Sequence, residues 1–202
     1  MENILGEQMV KRRHDDMDAS DMMIANERIN TGLLNNHVFF LTGAIDDYSV
    51  EEVIKWIIYE NTITEQHKVL SLYINSDGGH LTSSLALIDI MRQSKYPIRT
   101  IGIGSIASAA FLIFSCGTKG YRIISKNTSI MCHQYSCGMM GKQHDMEAHV
   151  KEMQLSNDRI LNILKDVSNL DLKNVKLKLL PPTDVWLTPE ELLNYGIADI
   201  IS

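Results

Sequence analysis

Residues 98–117, IRTIGIGSIASAAFLIFSCG, restrict the possible folds more than any other stretch of the chain. The run opens apolar and is broken by Gly102 and Gly104. A short β-forming run closed by Gly and small residues reads as a buried parallel strand. The chain then passes into Ala107-Ser108-Ala109-Ala110-Phe111-Leu112-Ile113-Phe114, which holds good helix formers and no Pro. Ser108 therefore falls where a strand turns into a buried helix. A helix start exposes free backbone N–H groups and the positive end of the macrodipole. A hydroxyl there can act as a nucleophile whose developing oxyanion meets those N–H groups. Taken alone, such a serine more often serves as an N-cap or a small packing residue.

The flanking sequence repeats the strand-to-helix pattern. HVFFLT at 37–42 reads as a first strand, ended by Gly43. Residues 49–63 carry apolar side chains at helical spacing, and Ser49 with Glu52 three residues on predicts a capping box. VLSLYIN at 69–75 is a second strand, followed by the turn Ser76-Asp77-Gly78-Gly79 and a helix over 80–93. The third strand is expected over 98–103 and its helix over 107–116. This order implies right-handed βαβ units on a mostly parallel sheet. Short strands follow at 121–124 and 129–132, then a Gly- and Met-bearing loop at 135–141. The periodicity predicts a long helix over 143–166, able to project from the core or pack on a partner, and a short one over 171–179 stopped by Pro181-Pro182. Thr188-Pro189-Glu190-Glu191 opens a capped helix that Gly196 ends, and 197–201 is a strand-like tail.

Composition narrows the function. At 202 residues, without repeats or low-complexity linkers, the chain reads as one α/β domain over 27–202 behind a polar, flexible arm over 1–26. A net charge of −6 leaves no basic footprint for nucleic acid. Cys116, Cys132 and Cys137 are odd in number and suit a reducing compartment. The start, MENILGEQMVKRRHDD, has charges where a signal peptide needs apolar residues, and the apolar run 106–116 is too short to span a bilayer. A cytoplasmic chain without membrane contact is the expectation.

Three further places carry chemistry. The turn at Asp77-Gly78-Gly79 ends a strand and opens a helix, as the Ser108 segment does, so both belong at the carboxyl edge of the sheet where ligands bind. Two glycines let backbone N–H groups approach a ligand without a Cβ in the way. His133, after the strand-like Ser129–Cys132 run, has the chemistry of a general base near neutral pH. Asp184, between Pro182 and Trp186, can orient an imidazole. Each alone also fits a structural role. Cys132, Cys137, His144 and His149 match no standard zinc spacing.

Together these stretches share one pattern. Val38-Phe39-Phe40-Leu41-Thr42-Gly43, Leu72-Tyr73-Ile74-Asn75-Ser76-Asp77-Gly78-Gly79, Ile106-Ala107-Ser108-Ala109-Ala110, Ile130-Met131-Cys132-His133-Gln134 and Asp184-Val185-Trp186-Leu187-Thr188 occur in this order. The chain resembles the proteolytic subunit of the Clp protease, ClpP, from about residue 28 to the end. The resemblance implies a ClpP/crotonase-like α/β fold of stacked ββα units, with a mostly parallel sheet and a protruding handle helix. It implies a serine endopeptidase with a Ser-His-Asp triad: Ser108 as nucleophile, His133 as base and Asp184 as orienting acid. It implies an oxyanion hole from the backbone N–H groups of Gly79 and Ala109. No metal or organic cofactor is required, and ATP serves only a partner. The implied partners are further copies in one heptameric ring or a stacked double heptamer, a hexameric ATPase unfoldase, and unfolded polypeptide substrates. The alternative is a catalytically silent or partner-activated ring subunit. The family usually has Pro where Asp77 stands, Pro at Tyr135, a Gly-Gly pair at Cys137-Gly138, and Arg at Thr183.

Overall fold

The computed structural model describes residues 19–138 and 140–202. The polar arm expected over 1–26 lies outside the described residues as far as residue 18, and from Ala19 to Asn35 the chain is helix α1. The chain divides after Val38 into two units. In the first, α1 carries exposed Met22, Met23, Ile24 and Ile29.

The second unit is built on a seven-stranded sheet. Its elements are β1 (Val38–Thr42), α2 (Asp47–Thr62), β2 (Leu70–Ser76), α3 (Leu81–Gln93), β3 (Ile98–Ala107), α4 (Ala109–Ser115), β4 (Arg122–Ile124), β5 (Ser129–Cys132), α5 (Gln143–Val167), α6 (Leu172–Lys178), β6 (Val185–Leu187), α7 (Pro189–Asn194) and β7 (Ile200–Ile201). The strand order is β1-β2-β3-β4-β7, with β5 pairing both β3 and β6. The β2–β3, β3–β4, β3–β5 and β4–β7 pairs are parallel, and the β5–β6 pair is antiparallel. This is the expected mostly parallel α/β architecture.

Two local departures have clear causes. Strand β3 runs to Ala107 instead of stopping near 103, because it changes partner: residues 100–102 pair with β4 and 105–107 with β5. Asn75 Oδ1 accepts the Ser105 N–H at 3.0 Å near that changeover. Helix α2 starts at Asp47 with Asp46 as N-cap, so Ser49 is not the cap but the third residue of the box. The Asp46 carboxylate accepts from the Ser49 N–H at 2.8 Å, and Ser49 Oγ accepts from the Asp46 N–H at 3.0 Å. An Asp-x-x-Ser pattern overlaps the Ser-x-x-Glu one, and the earlier start adds most of a turn of helix. The box at Thr188 and Glu191 forms as its sequence predicts.

The core gathers around α4. All seven of its residues are buried, including Phe111 and Phe114 at 0% exposure. Its polar Ser115 hydroxyl donates to the Phe111 carbonyl at 2.6 Å, so nothing polar in the side chains of the helix is left unpaired. Helix α4 lies against β2 and β3 and beside α3 and α5. Helix α5 is 25 residues long, but its buried residues are Ser156, Ile160, Ile163 and Leu164. Only its C-terminal half packs on the core, so the N-terminal half stands off as the expected handle. Among the described residues no helix is long and apolar enough to cross a membrane.

Candidate active site

Sheet register assembles the site. The parallel β3–β5 ladder pairs Ala107 with Met131, so Ser108 and His133 leave the carboxyl ends of adjacent strands. The antiparallel β5–β6 ladder pairs Ile130 with Leu187, Met131 with Trp186 and Cys132 with Val185. Continuing that register by one step sets His133 opposite Asp184. Residues 25 and 51 positions apart in sequence are thus neighbours in space because two ladders share β5.

Ser108 Oγ and His133 Nε2 are 2.7 Å apart. With Nε2 unprotonated, the hydroxyl donates to it, as a nucleophile and base require. Ser108 does not cap α4 with its side chain, which settles its local role against the N-cap reading. Its backbone is at φ 55 and ψ −121, a conformation L-residues rarely adopt. Such a residue carries roughly 1–3 kcal/mol of strain and persists only where its surroundings enforce it. Here the Ser108 N–H donates to the Met131 carbonyl at 3.0 Å, and its carbonyl accepts from Leu112. Small neighbours, Ala107, Ala109 and Ala110, leave the turn room.

The His133 Nδ1 to Asp184 Oδ1 distance is 3.7 Å, longer than a hydrogen bond. His133 is 24% exposed and Asp184 62% exposed. Asp184 therefore stands level with His133 along the ladder but beyond hydrogen-bond reach of it. Beside His133, burial pushes the Cys132 thiol up to about 12, against a hydrogen bond from the His133 backbone, so this cysteine stays a neutral packing group.

The glycine turn closes on the serine from the other side. Gly78 has φ +102 and Gly79 φ +151. A Cβ at Gly78 would sit 2.7 Å from Ser108 Cβ and 2.8 Å from the Ala107 carbonyl oxygen. No side chain fits there. The turn is held by a bridge between Ile45 and Gly79 and by the Gly78 N–H donating to Ser76 Oγ at 3.0 Å. The N–H groups of Gly79 and Ala109 have no hydrogen-bond partner among the described residues. Asp77 turns to Ser105, whose hydroxyl donates to its Oδ1 at 2.6 Å.

A cleft of about 70 Å³ contains Ser108, His133, Gly79 and Ala109, with Leu81, Leu112 and Ile160 supplying apolar walls. These wall residues were not apparent as site residues in the sequence; Ile160 shows there only as one position on the apolar face of a long helix. Asn157 is a second omission. Its Oδ1 accepts the Tyr135 N–H at 3.0 Å, tying the loop after His133 to α5. Gln134 Nε2 donates to the Leu180 carbonyl at 2.8 Å from the next residue along. Cys137 Sγ lies 3.1 Å from His149 Nε2. Among the described residues no three His, Cys, Asp or Glu side chains gather to hold a metal ion.

A hydroxyl bonded to an imidazole at the carboxyl edge of a parallel sheet, beside two unpaired N–H groups, is equipment for acyl transfer. The family model for Clp protease matches residues 15–202. The chain belongs to the Clp protease family. It is thus a ClpP-like peptidase, from a family whose members assemble as oligomeric rings.

Proposed function

We propose that this chain is a serine endopeptidase subunit that cuts unfolded polypeptide inside a ring-shaped chamber. The observation that carries this reading is the 2.7 Å contact between Ser108 Oγ and His133 Nε2 at a strained strand-to-helix turn. His133 takes the Ser108 proton as the hydroxyl oxygen attacks the scissile carbonyl carbon. The oxyanion is met by the N–H groups of Gly79 and Ala109. His133 then returns the proton to the leaving amine, which departs as the new amino terminus and leaves an ester on Ser108. Water, deprotonated by His133, releases the acid and restores the serine. Asp184 keeps the imidazole oriented. The reaction needs no metal or cofactor in this subunit. The chamber is a heptamer or a stacked double heptamer, fed in the cytoplasm by a hexameric ATPase that alone consumes ATP.

A second reading is a partner-activated subunit. It is favoured by the 3.7 Å separation of His133 from Asp184 and by the exposure of that carboxylate. Assembly or an unfoldase would then tighten the third member. Hydrolysis of a short fluorogenic peptide by the purified protein and by Ser108→Ala tests both. Turnover lost in the variant supports the first reading. An assembled oligomer, sized by light scattering, that turns over only after an unfoldase is added supports the second. Turnover equal in Ser108→Ala sinks both.

A further inference from the structure

The Gly78-Gly79 turn separates two cavities. Gly79 lines the apolar-walled cleft that holds Ser108. Gly78 lines a roomier one of about 450 Å³, with Gly43, Ala44, Asn75, Asp77 and Ser105. The two share no lining residue, yet Gly78 packs directly on Ser108 and Ala107. Their floors are adjacent residues of one backbone turn.

Among the described residues, Asp77 is the only ionisable side chain lining the second cavity. Its carboxylate is exposed but aimed: Oδ1 accepts from Ser105 Oγ at 2.6 Å, and the Ser105 N–H is itself held by Asn75 Oδ1 at 3.0 Å. The serine satisfies one oxygen and leaves the other open. Among the described residues, no Lys or Arg forms an ion pair with Asp77. A carboxylate oriented in this way can pair with a cationic side chain brought by a substrate.

The geometry points to Asp77 as a specificity-determining residue that receives a Lys or Arg side chain of the substrate, close to the scissile bond. This rests on the Ser108 reading above. A polypeptide whose carbonyl carbon sits at Ser108, with its oxygen toward Gly79 and Ala109, must run over the glycine turn. In extended chain, side chains on one face recur about every 6.6–6.8 Å. One side chain enters the apolar cleft under Leu81, Leu112 and Ile160, and a neighbour one or two positions along lies over the second cavity. The substrate class is then polypeptide with an apolar residue and a basic residue flanking the cut. An exposed pair of this kind is worth up to about 1 kcal/mol, a preference of about fivefold.

The test uses N-acetylated, internally quenched peptides that differ at one position by Lys or norleucine, scanned across the cut. The readout is the ratio of kcat/KM for Lys over norleucine within each enzyme. In the wild-type oligomer the ratio is expected to reach about fivefold at one position in low salt, and to approach one in 1 M NaCl as the charges are screened. It is expected near one in Asp77→Asn and restored in Asp77→Glu. A wild-type ratio near one at every position, or a ratio unchanged in Asp77→Asn, overturns the assignment. Should the variants fail to fold, the wild-type scan and its salt dependence still decide. Cutting that depends on Ser108 without a Lys preference overturns this inference alone, whereas cutting unaffected by Ser108→Ala removes the reading beneath it.

Discussion

At the scale of single residues, the site depends on two positions with little freedom. Ser108 is held at positive φ, and Gly78 packs against its Cβ. Gly78→Ala would force the turn away from Ser108 and displace the N–H of Gly79. Displacements of about 1 Å cost on the order of 10²-fold in rate. A loss of peptide hydrolysis of that size, with an unchanged far-ultraviolet circular dichroism spectrum, is expected. The members of the proposed triad should also differ in weight. His133 is in direct contact with Ser108, whereas Asp184 is 3.7 Å from His133 and 62% exposed. His133→Ala should lower kcat by on the order of 10³-fold or more, and Asp184→Asn by clearly less. Steady-state kinetics on one fluorogenic peptide checks the ranking; equal losses would mean that assembly tightens the acid onto the base.

At the scale of elements, α4 and the β5–β6 ribbon divide the task of building the site. Helix α4 is short and wholly buried, so its position is set by packing and not by its own helix-forming tendency. Phe111→Ala removes a fully buried ring from its centre. A destabilisation of about 3–5 kcal/mol is expected. Denaturant unfolding followed by fluorescence measures it, and hydrolysis should fall with the folded fraction. The β5–β6 ribbon brings His133 and Asp184 to one level through three antiparallel pairs. Such a ladder has a period of two, so a one-residue slip would turn these side chains to opposite faces. Buried Ile130 and Cys132 hold the register from the core side.

At the scale of the whole chain, a buried ion pair ties the C-terminal strand into the sheet. Arg122 is 2% exposed and bonds Asp199 through both Nε and Nη2, at 2.9 and 2.7 Å. It also donates to the carbonyls of Val167, at 2.8 Å, and Gly196, at 2.7 Å, joining the end of α5 to the turn before β7. Burial alone would raise the Asp199 carboxyl, but the Arg122 hydrogen bonds and charge, with the Gly120 N–H, outweigh it and hold the group below its ordinary value. A depressed folded-state value contributes stability above the ordinary carboxylate range and loses it as pH falls through the folded value. The gap in Tm between wild type and Asp199→Asn should therefore be widest near neutral pH and close below about pH 4. Arg122→Met leaves the half-buried Asp199 without its partner and should lower Tm at neutral pH more than at about pH 4, where the carboxyl is protonated. The handle half of α5 exposes Met146, Val150 and Leu155, which suits contact with another ring. Should the proposed rings stack through this face, Val150→Lys shifts the mass seen in light scattering from two rings toward one.

Much of this was legible along the chain because it is local. Alternating apolar runs, glycine turns and the Thr188 cap announce their elements through steric and hydrogen-bonding rules acting over a few residues. The roles expected of residues 79, 108, 109, 133 and 184 come instead from the resemblance to the Clp protease family, since each of them alone also fits a structural place. What periodicity could not supply is whatever depends on a partner distant in sequence. Strand β3 continues past two glycines because β5 lies beside it, and Asp77 turns to Ser105 because Asn75 holds that serine's backbone. Ile160 and Asn157 join the site only because α5 packs over it. The sequence by itself determined most of the elements and their order, since those follow from short-range preferences. Only the tertiary structure decided that Ser108 meets His133 at bonding distance while Asp184 stands further off, since that follows from the register of two ladders sharing one strand.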